Sequence, residues 1–111
     1  MAKLECRLKG SMGEIAKAID DAVSNSISAT CEDVSEFSLG DVRCMVRVYE
    51  RYSYMGGNRV SLSVTLFGNG DRIYLSAITS GGSQAVFFKL NTFGEESFLD
   101  SIRETVERFR A

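Results

Sequence analysis

Along residues 3–9 apolar and charged positions alternate strictly, with Leu4, Cys6 and Leu8 in one phase and Lys3, Glu5, Arg7 and Lys9 in the other. Successive side chains of a strand point to opposite faces, so this pattern predicts a half-buried strand. Gly10 ends it. Ser11-Met12-Gly13-Glu14 then has the Ser-x-x-Glu spacing of a capping box. Ile15, Ala18, Ile19, Ala22 and Val23 follow at helical spacing and predict a first helix whose small-residue stripe allows close approach to a sheet.

From Ile27 the period becomes two and stays so to about Leu90. Ile27, Ala29 and Cys31 mark a weak strand. Val42, Cys44, Val46 and Val48 mark a stronger one, then Val60, Leu62, Val64 and Leu66, then Ile73, Leu75 and Ala77, then Val86, Phe88 and Leu90. Glycine-rich stretches separate them: Leu39-Gly40-Asp41, Tyr54-Met55-Gly56-Gly57-Asn58, Gly68-Asn69-Gly70-Asp71 and Ser80-Gly81-Gly82-Ser83. Such short connections imply hairpins and an antiparallel meander. A second capping-box spacing, Thr92-Phe93-Gly94-Glu95, is expected to open a last helix. Its stripe is Phe98, Ile102, Val106 and Phe109, flanked by Leu99 and Thr105. The expected fold is α+β: one domain over residues 1–111, of order β-α-β-β-β-β-β-α, with two helices against one face of a single antiparallel sheet.

Composition narrows the function. The 111 residues are 44% hydrophobic and 25% charged, which is the globular average, and they carry 13 basic against 15 acidic residues for a net charge of -2. A general nucleic-acid binder needs a basic surplus, so no nucleic-acid partner is expected. The chain has no histidine, which removes nucleophile–His pairs and the commonest metal ligand together. Cys6, Cys31 and Cys44 match no zinc or redox spacing and stand in phase with apolar neighbours; they are expected as reduced, buried side chains. Free thiols, no apolar leader and no membrane-length run point to the cytoplasm. Gly68-Asn69-Gly70 lacks the third glycine of a dinucleotide fingerprint and joins two strands. Glu32, Asp33 and Glu36 are expected to be solvated, so neither metal nor other cofactor is expected.

Two surfaces remain. In a meander, alternate turns fall at one end of the sheet, which would bring the turns at 54–58 and 80–83 side by side. That rim would gather Arg51, Tyr52, Tyr54, Asn58, Arg59, Thr79, Ser80, Ser83 and Gln84, groups suited to a small polar or anionic ligand. Glu50 is an acidic alternative to such an anion between the two arginines. With the valines of 42–48 facing the helices, the opposite face would carry Met45, Tyr49, Phe67, Tyr74, Ile78 and Phe87. Six large apolar side chains on one face suggest a covered patch, first by self-association into a dimer.

The stretches Arg51-Tyr-Ser-Tyr-Met-Gly-Gly-Asn-Arg-Val-Ser-Leu62 and Ile78-Thr-Ser-Gly-Gly-Ser-Gln-Ala-Val-Phe-Phe-Lys89 resemble a family of small bacterial proteins classed as a domain of unknown function. Gly40-Asp-Val-Arg43 and Phe93-Gly-Glu-Glu-Ser-Phe-Leu99 share the resemblance, which spans nearly the whole chain. It implies a bacterial cytosolic protein and transfers no residue roles. Two function classes follow. The first is a non-enzymatic binding or interaction module, self-associating. The second is a small enzyme on a polar or anionic substrate, with Arg51 or Arg59 stabilising charge and Tyr52 or Tyr54 donating a proton.

Overall fold

The computed structural model describes residues 1–26, 28–53, 58–81 and 88–111. The chain runs β1 (Lys3–Lys9), α1 (Met12–Ser24), β2 (Ala29–Leu39), β3 (Val42–Ser53), β4 (Asn58–Asn69), β5 (Arg72–Gly81) and α2 (Phe88–Arg108). All neighbours in the sheet are antiparallel, in the spatial order β1-β5-β4-β3-β2. The fold is the α+β class read from the periodicity, one antiparallel sheet with two helices.

Local chemistry accounts for the elements. Ser11 caps α1, its hydroxyl accepting from the Glu14 amide at 3.4 Å, as the capping-box spacing requires. Gly40 and Gly70 stand at positive φ, +60° and +61°, as the first residues of two-residue turns joining β2 to β3 and β4 to β5. Glycine at that position is the mark of the type II′ hairpin. Ile15, Ile19 and Val23 of α1 and Phe98, Leu99, Ile102 and Val106 of α2 bury against Leu62, Val64, Leu66, Ile73, Leu75 and Ala77 in a single core.

Three expectations change. The alternating stretch at Val86, Phe88 and Leu90 is not a strand where it is described: Phe88 and Leu90 belong to α2, and Val86 lies outside the described residues. A strand following β5 has no place beside it, because β1 pairs with β5 on the side away from β4, Leu4 opposite Ala77 and Leu8 opposite Ile73. The helix therefore starts earlier than the Thr92–Glu95 spacing suggests. Glu95 is no cap; its carboxylate is buried and meets the Met1 ammonium at 2.5 Å.

The third change concerns β3. The register sets Tyr49 opposite Leu62, Arg47 opposite Val64 and Met45 opposite Leu66, so Met45 and Tyr49 enter the core under the helices. Val42, Cys44, Val46 and Val48 take the opposite face. β3 has large apolar side chains in both phases, although the inward one also carries Arg43, Arg47 and Arg51, and its pairing with β4, apolar in one phase, decides which side is inside.

Candidate interaction surface

The helices cover one face of the sheet, and no described element covers the other. One level of the open face runs across five strands: Phe37, Cys44, Phe67, Tyr74 and Arg7. Phe37 is 60%, Phe67 50% and Tyr74 54% exposed. The Arg7 guanidinium lies over the Tyr74 ring, 5.6 Å from its centre, within cation–π range. Leu39 and Val42 stand one level beyond, and Val46, Val48 and Ile78 on the other side. Two shallow grooves of about 360 and 380 Å³ adjoin along Arg72 and Tyr74 at the end where β4 turns into β5.

Of the six residues expected on this face, Phe67, Tyr74 and Ile78 are there. Met45 and Tyr49 are buried on the helix side, and Phe87 lies outside the described residues. Periodicity names the phases of a strand but not their sides, so the valines of β3 and Phe37 of β2 escaped it.

The glycine rim divides in a similar way. The register does bring the ends of β3, β4 and β5 together, with Ser53 opposite Asn58 and Val60 opposite Gly81. Adjacent residues point to opposite faces, however, and this separates the two arginines. Arg51 turns under the helices, donating to Ser26 Oγ at 3.1 Å and to the Gly94 carbonyl at 3.3 Å, with its guanidinium 4.7 Å from the Phe98 ring centre. Burial pushes its pKa down from the ordinary guanidinium range. Arg59 lies on the open side and donates to Glu50 Oε1 at 2.9 Å, the acidic partnership that stood as the alternative to a bound anion. Thr79 is buried, its hydroxyl accepting from the Ala2 amide at 3.1 Å. The Ser80 carbonyl accepts from Ser61 Oγ at 3.2 Å. Tyr52 is exposed beside Arg59. Tyr54, Ser83 and Gln84 lie outside the described residues, and Asn58 is placed by its backbone pairing.

A polar cluster that the sequence reading passed over joins α1 to β3. Asp20 accepts from Arg47 Nε at 3.1 and 3.3 Å and from the Tyr49 hydroxyl. Desolvation first, then the Asp20 hydrogen bond, push the Tyr49 pKa far above the ordinary phenol range, so this tyrosine stays a neutral donor. The cluster satisfies two polar groups brought inside by β3 and reads as a structural clamp. The other acidic side chains near Asp33 are engaged singly: Glu36 pairs with Arg43 at 2.9 Å, and Glu32 accepts from Thr30 Oγ1.

The cysteines also depart from expectation. Cys44 is buried although it faces the open side, flanked at its level by Phe37 and Phe67; Cys6 is half-buried and Cys31 exposed. Burial, then the charge of Asp20, raise the Cys31 pKa. Labelling of the native protein with a thiol reagent is expected to modify Cys31 first, at a rate that keeps rising above the pH where an ordinary cysteine is already ionised. Cys44 should react only after denaturant is added. Cys44 modified as fast as Cys31 would show that the aromatic row does not cover it.

The chain belongs to a family of unknown function, DUF6054, whose model matches residues 1–110. No curated protein and no solved structure is similar enough to match it.

Proposed function

We propose that this member of the family is a non-enzymatic interaction module that self-associates through the open face of its sheet, in a reducing, cytoplasmic setting that suits its three free thiols. The observation that carries this reading is the apolar level Phe37–Cys44–Phe67–Tyr74, continuous across four strands and covered by no described element. A sheet is stable with one face wet when that face is polar, and a continuous aromatic row on it marks a contact surface. Its size is adequate. Five strands about 4.8 Å apart and seven residues about 3.4 Å long give a flat footprint of about 570 Å². Side-chain relief brings that near the roughly 800 Å² per partner of a standard interface.

The enzyme alternative draws less support, because Arg51 is engaged in the core and Arg59 is paired with Glu50. Sedimentation equilibrium of the wild type is expected to show a dimer at micromolar concentration. Phe67→Glu places a carboxylate in the middle of the row and should weaken association by about a hundredfold, since a buried unpaired charge costs several kcal/mol. Phe67 is half-exposed in the single chain, so the variant should melt like a dilute wild type. A wild type that sediments as a monomer throughout would overturn the proposal.

A further inference from the structure

A two-fold dimer of a sheet has three possible axis directions, and the charge layout distinguishes them. An axis normal to the sheet joins two copies edge to edge. The outer edge of β1 is already occupied: the Lys9 amide donates to the Phe109 carbonyl at 2.8 Å and the Ala111 amide to the Arg7 carbonyl at 3.0 Å. The remaining edge, β2, carries a register break between Cys31 and Asp33, and its only charges are Glu32, Asp33 and Glu36. Pairing two such strands antiparallel about Val34 sets Glu32 of one copy against Glu36 of the other, and like charges directly opposite are destabilising.

An axis in the plane between two sheets and perpendicular to the strands lays β1 over its own copy. The open side of β1 and β5 carries Lys3, Arg7, Lys9 and Arg72 against a single acid, Glu5. Arg7, Lys9 and Arg72 have no acidic partner among the described residues, so this axis would stack one basic edge on the other. The third axis runs parallel to the strands. β4 is the middle strand, so rotation about a line along it exchanges β3 with β5 and β2 with β1.

We infer that two copies pair face to face about an axis parallel to β4, laying the basic β1 edge of each sheet over the β2 strand of the other, whose Asp33 lies on the open face. This rests on the self-association proposed above and adds its geometry. Phe67 then meets its own image. Val48 meets Ile78, Phe37 meets Arg7, and Asp33 meets Lys3, because each pair shares one level of the register on opposite sides of β4. Near the axis Val48 falls on Ile78 and Cys44 on Tyr74, while at the rim Asp33 falls on Lys3 and the Arg7 guanidinium on the Phe37 ring, so the basic edge meets an acid and an aromatic ring and not its own charges. The roughly 30° angle between aligned sheets shifts the outer strands by one or two residues and leaves the edges matched.

Charge reversal tests the axis. Lys3→Glu with Arg7→Glu, and separately Glu32→Lys with Asp33→Lys, are each expected to raise the dimer dissociation constant by at least about tenfold, through two repelling edges per dimer. The chain carrying all four changes restores opposite signs and should return to within about threefold of wild type. A four-fold variant as weak as the product of the two halves would overturn the axis while leaving self-association intact. Val34→Pro, which removes a backbone donor from the β2 edge, should leave the dimer unchanged; its dissociation would assign the contact to the edge and overturn the inference. A wild type that is monomeric would instead remove the reading on which the axis depends.

Discussion

Phe98→Ala is expected to lower the stability of the fold by about 4 kcal/mol, within the range found when a buried phenylalanine leaves a cavity. Phe98 is fully buried on α2 and packs in the core shared by both helices and the sheet. The Arg51 guanidinium rests over its ring while donating to Ser26 at the end of α1 and to Gly94 on α2. Truncation therefore removes the support of a half-buried cation together with the ring. Domains of this size have about 5–15 kcal/mol in total, so the variant should remain folded only narrowly at 25 °C. At roughly 4 °C per kcal/mol, its melting midpoint should fall by about 15 °C. Urea unfolding read by circular dichroism would report the loss as a lower midpoint with an unchanged slope. A loss below about 1 kcal/mol would contradict the central place given to this contact.

Gly68→Ala is expected to cost about 3 kcal/mol, at the upper end of the overpacking range. The requirement here is space, not backbone angle. A β-carbon at residue 68 would fall onto the Arg72 carbonyl oxygen and lie 2.9 Å from the Ile73 α-carbon. Both are backbone atoms of β5, and they cannot yield without opening the β4–β5 hairpin. Gly13 provides the contrast: it stands exposed in the first turn of α1, where an added β-carbon meets only the Ser11 hydroxyl at 3.8 Å. Gly13→Ala should leave stability unchanged or raise it by up to about 1 kcal/mol. Thermal melts of the two alanine variants side by side check the claim. Equal midpoints would show that the hairpin accommodates the extra carbon.

Several features were legible because one strand or helix contains the whole signal. The alternation of β1, the capped start of α1, the glycine turns at Gly40 and Gly70 and the apolar stripe of α2 each reside in a few consecutive residues. The same holds for the open-face residues of β4 and β5. Phe67 and Tyr74 lie in the minority phase of strands whose other phase is plainly apolar. What failed depended on distant partners. In β3 the cleaner apolar phase, Val42, Cys44, Val46 and Val48, turns outward, while Met45 and Tyr49 go inside between arginines, and the Asp20 clamp that holds Arg47 and Tyr49 comes from 27 and 29 residues earlier.

By itself, then, the sequence determined the class of fold, the hairpins at Gly40 and Gly70 and the two apolar phases of the sheet, because local propensity and periodicity settle which side chains share a phase. Only the tertiary structure decided where each phase points and which strands are neighbours. The pairing of β1 with β5 closed the place where a sixth strand was expected, and the register of β3 against β4 turned Tyr49 and Arg51 inward and the valines outward. The physical reason is that a strand's two faces are equivalent until a partner fixes them. A one-residue change of register exchanges the faces, and the choice is made by the burial of the whole sheet against its helices.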